Sequence, residues 1–179
     1  MEIATSHKHK TLIEKCKDGD RNSQNELFRL YVDAMFNVAM RLLASREDAE
    51  DILQESFIDA FKNLKSFRFE SSFGAWLKRI VVNKSINFLK LKRISMTDLE
   101  QHEFHLSEEP IPEIEHVDLR NIKKGIAVLP KGFKQILTLY LIEGYDHVEI
   151  GEIMGISTST SKSQYHRAKK KLVDILNQS

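Results

Sequence analysis

The segment from His147 to Arg167 decides the fold of the second half of the chain: it reads His-Val-Glu-Ile-Gly-Glu-Ile-Met-Gly-Ile-Ser-Thr-Ser-Thr-Ser-Lys-Ser-Gln-Tyr-His-Arg. Gly151 permits close approach of a second helix, and Gly155 supplies a residue for a left-handed turn. Ile156 then fills the small core between the helices. The pattern predicts two helices joined by a tight turn, a helix-turn-helix motif.

The second helix of this motif begins with hydroxyl side chains and becomes basic toward its end. Such a helix suits the major groove of DNA, because its first turns can reach base edges while later residues hold phosphates. The candidate DNA-contacting residues are Thr160, Ser161, Lys162, Ser163, Gln164, Arg167 and Lys169. Many helix-turn-helix motifs have an aliphatic residue where Ser161 stands. A helical hairpin with a solvated basic face is the alternative, and DNA binding is the better interpretation.

Helix start and stop signals flank this motif. Asp146 and Glu149 form a predicted capping pair for its first helix, and Ser157 is the predicted N-cap of its second helix. Upstream, helices are predicted over residues 119–129 and from there to a stop near Gly144.

Three apolar stripes with helical spacing occupy the first half of the chain. Ser45 lies between the first and the second stripe and is a predicted N-cap. The predicted inward-facing residues are Leu27, Tyr31, Met35, Val38 and Leu42 in the first helix; Ala49, Leu53, Phe57, Ala60 and Leu64 in the second; and Phe73, Leu77, Ile80 and Leu91 in the third.

The composition favours an all-α protein. The chain has 179 residues, 41% of them hydrophobic, with only 3 Pro and 7 Gly, and we find no strand alternation of useful length. Residues 94–117 have no helical period, contain two prolines and hold no positive charge, which is typical of a linker. We therefore predict two small helical domains, residues 1–93 and 118–179, joined by a flexible acidic linker.

Charge is strongly segregated along the chain although its net charge is only +1. Residues 67–93 carry a net charge of +6, residues 94–118 carry −8, and residues 119–179 carry +5, by counting Lys and Arg against Asp and Glu. Two basic segments separated by a wholly acidic one predict two surfaces that face nucleic acid.

The helix that follows Ser45 carries an acidic outward face. Asp51, Glu55 and Ile58 follow the spacing i, i+4, i+7, so they share this face beside Asp48 and Gln54. An acidic face with an exposed isoleucine suits a protein partner that has a basic, partly apolar surface. From these residues alone, a solvated helix face is the better interpretation.

A run of aromatic and basic residues follows, and it is typical of a surface for single-stranded nucleic acid. Aromatic rings can stack on unpaired bases while cations track the backbone, and an asparagine can bond a base edge. The candidate residues are Phe67, Trp76, Lys78, Arg79, Asn83 and Lys84. Aromatics at helical spacing are also common core residues. We expect Phe73 in the core, and Trp76 fits either environment.

We predict no catalytic residue, metal site or cofactor. Cys16 has nearby histidines, but it lies on a short polar helix without an orienting partner for a nucleophile. His102, His105 and His116 lie in the acidic linker, where solvation is the better interpretation. The first fifteen residues lack the apolar core of a signal peptide, and no window is long enough to cross a bilayer. We therefore expect a cytoplasmic protein with no direct membrane insertion.

In this order, the segments resemble the extracytoplasmic-function (ECF) group of bacterial RNA polymerase sigma factors, from about Leu12 to Leu176. The resemblance implies that Asp48, Asp51, Gln54, Glu55 and Ile58 bind core RNA polymerase. It implies that residues 67–84 recognise and melt the −10 promoter element, and that residues 160–169 read the −35 element. Core polymerase and promoter DNA are the implied partners, and an anti-sigma inhibitor is a further one.

The competing interpretation is a helix-turn-helix transcriptional regulator that acts without replacing another sigma factor. Its first domain would then serve dimerisation or sensing. Such a regulator needs neither the acidic outward face nor the acidic linker, so the sigma factor is the leading hypothesis.

Overall fold

The computed structural model of the chain describes residues 2–95 and 119–177, which are helical apart from short connections. The helices are α1 (Glu2–Lys17), α2 (Arg21–Leu43), α3 (Arg46–Lys62), α4 (Phe73–Ser95), α5 (Leu119–Val128), α6 (Lys131–Leu137), α7 (His147–Met154) and α8 (Thr158–Asn177). A 3₁₀ turn at Leu64–Ser66 follows α3, and a π-helical turn at Thr138–Ile142 continues α6. The all-α prediction is confirmed.

Two compact units divide these helices, α1 to α4 in the first and α5 to α8 in the second. Of the predicted acidic linker, residues 94 and 95 belong to the end of α4, and the rest, with its histidines, lies outside the described residues. In the part of the chain that the structure describes, no helix has the length and apolar character needed to span a membrane.

The first unit is built on α2, α3 and α4, which pack against one another, with α1 against α2. The predicted inward residues of α2 are buried except Tyr31, which is half-buried, and the whole stripe from Ala49 to Leu64 is buried. These two stripes are therefore confirmed. Ser45 caps α3 as predicted, since its Oγ accepts a hydrogen bond from the Asp48 amide at 3.3 Å.

The predicted stripe of α4 is partly wrong. Phe73 and Leu77 are buried, but Ile80 is only half-buried and the Leu91 side chain is 67% exposed. The buried face runs instead through Val81, Val82, Ser85 and Ile86. Leu91 lies five residues beyond Ile86, which places it about 140° around the helix from that face.

The second unit has its core between α8 and the helices before it. Its central cluster consists of Ile126, Leu129, Leu137, Ala168 and Leu172. Because α8 packs against α5, α6 and α7, a single helix both closes this core and presents its opposite side to solvent.

The helix-turn-helix motif forms with the predicted local chemistry. Asp146 and Glu149 make a reciprocal capping box at the start of α7, and Gly155 ends that helix in the left-handed conformation at φ 68°. The Ser157 Oγ accepts a hydrogen bond from the Thr160 amide at 3.0 Å and so caps α8. Gly151 permits the turn before α8 to pack closely against α7, because a Cβ added at Gly151 would lie 2.9 Å from the carbonyl oxygen of Ile156.

We expect Gly151→Ala to lower the free energy of unfolding of the second unit by about 1–3 kcal/mol, since the added methyl group meets backbone that cannot move aside easily. Denaturant unfolding of the full chain followed by circular dichroism measures the loss. Gly132→Ala is the matched control, because its Cβ would meet nothing within 4 Å, and it should raise stability by up to about 1 kcal/mol. Equal stabilities of the two variants would contradict the close-packing role of Gly151.

Candidate polymerase and DNA interfaces

The acidic face of α3 consists of Asp48, Asp51, Gln54, Glu55 and Ile58. All except Asp48 are exposed, and Ile58 is a large apolar side chain with 46% of its surface in solvent. The Asp48 carboxylate is half-buried and accepts a hydrogen bond from Lys92 Nζ at 3.0 Å. The structure therefore brings four of the five predicted residues to one accessible surface and anchors the fifth to α4.

Lys84 connects this acidic face to the basic helix α4. Its Nζ lies 2.8 Å from a carboxylate oxygen of Asp59 and 3.4 Å from one of Glu55. The hydrogen bond from Lys84 lowers the pKa of Asp59, and the same bond raises the pKa of Lys84. Both residues are thus held in their charged forms. A DNA phosphate that binds Lys84 has to compete with these two carboxylates.

An open cleft of about 510 Å³ lies along α4 and contains three of the predicted DNA-binding residues, Trp76, Asn83 and Lys84. Trp76 is half-buried and Asn83 is exposed. The cleft is lined by Asp59, Asn63, Ser66, Trp76, Ile80, Asn83, Lys84 and Asn87. An aromatic face beside several amide groups can both stack on an unpaired base and bond its edge. We call this site the Trp76 cleft.

Phe67 does not lie on the surface, contrary to its prediction as a DNA-contacting residue. Only 4% of it is exposed. Its ring lies 5.2 Å from that of Trp76 and 5.8 Å from that of Phe73, by centroids. Phe67 therefore supports Trp76 from behind and cannot itself stack on a base in this conformation. Of the remaining predicted residues, Lys78 is half-buried and Arg79 is exposed.

Ser161 is likewise buried, with no exposed surface, although it was predicted to contact DNA. It shares the inner face of α8 with Ala168 and Leu172, at spacings of seven and eleven residues. Its hydroxyl bonds the Nδ1 atom of His147 at 3.0 Å. Many helix-turn-helix motifs have an aliphatic residue at this position. Here the position holds a buried hydroxyl group, which is hydrogen-bonded to His147.

The outer side of α8 carries a different stripe. Ser159, Lys162 and Lys169 are exposed, and Ser163 and His166 are partly exposed between them. Their spacing places them on one helix face. Ser159 and His166 were not among the predicted DNA-binding residues. Their spacing of three and four residues from Lys162 is the pattern that places them on the same helix face. Among the other candidates, Thr160, Gln164 and Arg167 are half-buried beside this stripe.

A small aromatic cluster holds α8 against α7. The His147 ring stacks on Tyr140 at 4.7 Å between centroids and meets Tyr165 edge-on at 5.4 Å. Desolvation in this cluster lowers the pKa of His147, and the positive charge of Lys162 lowers it further. His147 is therefore held neutral, which suits its hydrogen bond to Ser161.

Acidification should weaken the second unit through His147. Because the folded state lowers the pKa of His147 below its usual 6.5, its stabilising contribution is complete above that value and is lost as the pH falls through the folded pKa. We expect the unfolding temperature of the wild type to fall more than that of His147→Asn between about pH 7.5 and about pH 5.5. Asparagine retains a bonding group for Ser161 but does not titrate. An identical pH dependence in both proteins would contradict this role.

Within the described residues, no three His, Cys, Asp or Glu side chains converge in a way that could hold a metal ion. Cys16 is buried, and the pKa of its thiol is raised to about 11, chiefly by desolvation. His9 is engaged elsewhere, with its Nδ1 atom 2.8 Å from the hydroxyl of Tyr31. A protonated thiol is a poor nucleophile, so the raised pKa does not favour a catalytic role for Cys16.

Comparison with known protein families matches both units. Sigma-70 region 2 matches residues 27–94, and Sigma-70, region 4 matches residues 119–172. The first range contains the acidic face and the Trp76 cleft, and the second contains the helix-turn-helix motif. Together they define a sigma-70-type transcription initiation factor, the class of protein that directs RNA polymerase to promoters.

Full-length relatives refine this assignment. The chain is 30% identical over 175 residues to the ECF RNA polymerase sigma factor SigW of Bacillus subtilis, covering 91% of this chain and 94% of the relative. It is 33% identical over 171 residues to the ECF RNA polymerase sigma-E factor of Haemophilus influenzae, covering 89% and 90% respectively. The chain belongs to the ECF group of the sigma-70 family.

Solved structures show the same fold. A sigma factor RpoE from Bartonella quintana, in complex with the anti-sigma factor NepR, has a TM-score of 0.56 at 22% identity and covers 86% of this chain and 96% of its own. CnrH, in complex with the cytosolic domain of CnrY, also has a TM-score of 0.56, at 21% identity, and covers 94% and 97%.

Proposed function

We propose that three surfaces of this sigma factor have separate roles in transcription initiation. The acidic face of α3 binds a basic, partly apolar surface of core RNA polymerase. The Trp76 cleft captures an unpaired base of the −10 element. The outer stripe of α8 reads the −35 element in the major groove, with Ser161 left out because it is buried.

One observation carries the melting role: Trp76 and Asn83 line a single open cleft, with Lys84 at its wall. Opening a base step costs a few kcal/mol, and stacking an extruded base on an aromatic ring returns about 1–3 kcal/mol. Capture of an unpaired base in the cleft therefore favours the melted promoter without hydrolysis of ATP.

The −35 role rests on the orientation of α8. Its inner face is fixed by Ser161, Ala168 and Leu172 in the core, so Ser159 and Lys162 point outward at the start of the helix. A hydroxyl and an ammonium there can reach base edges or the nearest phosphates. Lys169 lies farther along, where it supplies sequence-independent attraction.

Reconstitution tests this proposal directly. The purified chain is mixed with core RNA polymerase and a promoter library, and the transcripts are sequenced. We expect initiation that requires the chain and enriches two promoter elements. A regulator that acts alone would instead retain specific DNA binding without polymerase and would leave core polymerase without promoter preference. Failure to associate with core polymerase at moderate salt would overturn the proposal.

We also infer that the chain performs no catalysis of its own and that it works in the bacterial cytoplasm, where RNA polymerase acts. Its relatives are sigma factors, and the raised pKa of the Cys16 thiol keeps that group protonated near neutral pH. An anti-sigma factor is a further proposed partner, because the sigma factor of like fold from Bartonella quintana was solved bound to such an inhibitor.

A further inference from the structure

The connection between the 3₁₀ turn and α4 contains a strained residue, Phe69. Its φ angle is 62°, in the left-handed region that glycine adopts readily and aromatic residues rarely do. Such a conformation persists only where neighbouring groups hold it, and strained residues tend to lie at functional sites. Phe69 lies directly between the buried Phe67 and the start of the helix that carries the Trp76 cleft.

Lys17, at the end of α1, contacts this connection at two points. Its Nζ donates a hydrogen bond to the carbonyl oxygen of Phe67 at 3.0 Å and lies 4.5 Å from the centroid of the Phe69 ring. Its side chain is only 15% exposed, and Glu14 accepts a bond from it at 3.4 Å. Lys10, also from α1, lies 5.6 Å from the same Phe69 ring.

These contacts continue to the Trp76 cleft. The Phe69 ring lies 4.8 Å from the Phe67 ring, and the Phe67 ring lies 5.2 Å from that of Trp76. Lys17 thus contacts both the backbone at Phe67 and the ring next to it. Phe67 is one of two aromatic side chains that pack on Trp76, the other being Phe73 at 5.7 Å between centroids. Because Lys17 is largely buried and already bonded, it is poorly placed to bind DNA itself.

We propose that Lys17 is a positioning residue for base capture: through Phe67 and Phe69 it orients Trp76, and so couples helix α1 to promoter melting. This inference rests on the proposed function of the Trp76 cleft. It predicts that loss of the Lys17 ammonium changes how well the cleft distinguishes bases, without weakening polymerase binding.

The test measures base discrimination by holoenzyme on pre-melted promoters that carry each of the four bases at the unpaired −10 positions. The variants are Lys17→Met, which keeps the length of the side chain but removes its donor and charge, and Lys17→Arg, which keeps both. Lys15→Met makes the same charge change at an exposed position of α1. Rates are compared as ratios between templates, so a loss of active protein cancels.

We expect Lys17→Met to reduce the ratio between preferred and disfavoured bases by about tenfold, the change expected for one charge-assisted hydrogen bond. Lys17→Arg and Lys15→Met should keep the wild-type ratio, and all variants should bind core polymerase equally. A wild-type ratio in Lys17→Met would overturn the inference, and so would an equal loss in Lys15→Met. A wild-type holoenzyme that shows no base preference would instead overturn the proposed function of the cleft.

Discussion

Replacing both Trp76 and Asn83 by alanine is expected to slow open-complex formation on duplex promoters by about a hundredfold. The two side chains line one cleft, and loss of one stacking surface and one base-edge hydrogen bond removes about 2–3 kcal/mol of favourable interaction with the extruded base. On a template that is already unpaired at the −10 element, the defect should be much smaller, because the cost of unstacking no longer has to be offset. Fluorescence of a base analogue in the −10 element measures the opening rate.

Asn37→Ala provides the matched control for this experiment. Asn37 is exposed on α2, so the substitution makes the same chemical change as Asn83→Ala but outside the cleft, and it should leave opening unaffected. Each single variant should show part of the loss. Equal defects on duplex and pre-melted templates would show that the cleft contributes to binding but not to melting.

Reversing two charges on the acidic face should weaken the affinity for core RNA polymerase by about ten- to a hundredfold. Asp51 and Glu55 are both exposed, and Asp51→Lys with Glu55→Lys places two cations where we propose a basic partner surface binds. The fold should survive, because Lys84 retains its 2.8 Å pair with Asp59. Titration of labelled polymerase at two salt concentrations measures the loss, which should be greater at low salt.

The matched control reverses Glu26 and Asp33, two exposed carboxylates of α2. This variant has the same net charge as the acidic-face variant but leaves that face intact. If both variants lose affinity equally, the effect is one of overall charge, and the assignment of the acidic face is wrong.

Local signals predicted the helix ends well. Ser45, Asp146 and Ser157 cap helices through hydrogen bonds to amides two or three residues away, and Gly155 takes the left-handed turn that its position requires. Each of these interactions is complete within one turn of chain. Periodicity likewise identified the inward faces of α2 and α3, because each stripe is set by a single helix.

The features that the sequence did not reveal are those that join distant residues. The pair between Lys84 and Asp59 spans 25 positions, and its formation depends on how α3 packs on α4. Ser161 and Phe67 were predicted at the surface because a hydroxyl group or an aromatic ring can contact DNA, but the same groups can also be buried in a protein core. The rotation of α8 buries Ser161, and the packing of three aromatic residues, Phe69, Phe73 and Trp76, around Phe67 buries that ring.

The burial of Cys16 makes the protein suitable for site-specific spectroscopy. The chain contains one cysteine, and only 3% of that residue is exposed. Its thiol has a pKa of about 11, so near neutral pH it is almost entirely protonated and shielded from alkylating reagents. A cysteine introduced at an exposed position such as Asn37 or Asn121 would therefore react first. Fluorophores placed on each helical unit in this way would report the distance between the two units during initiation, with the native thiol left in place.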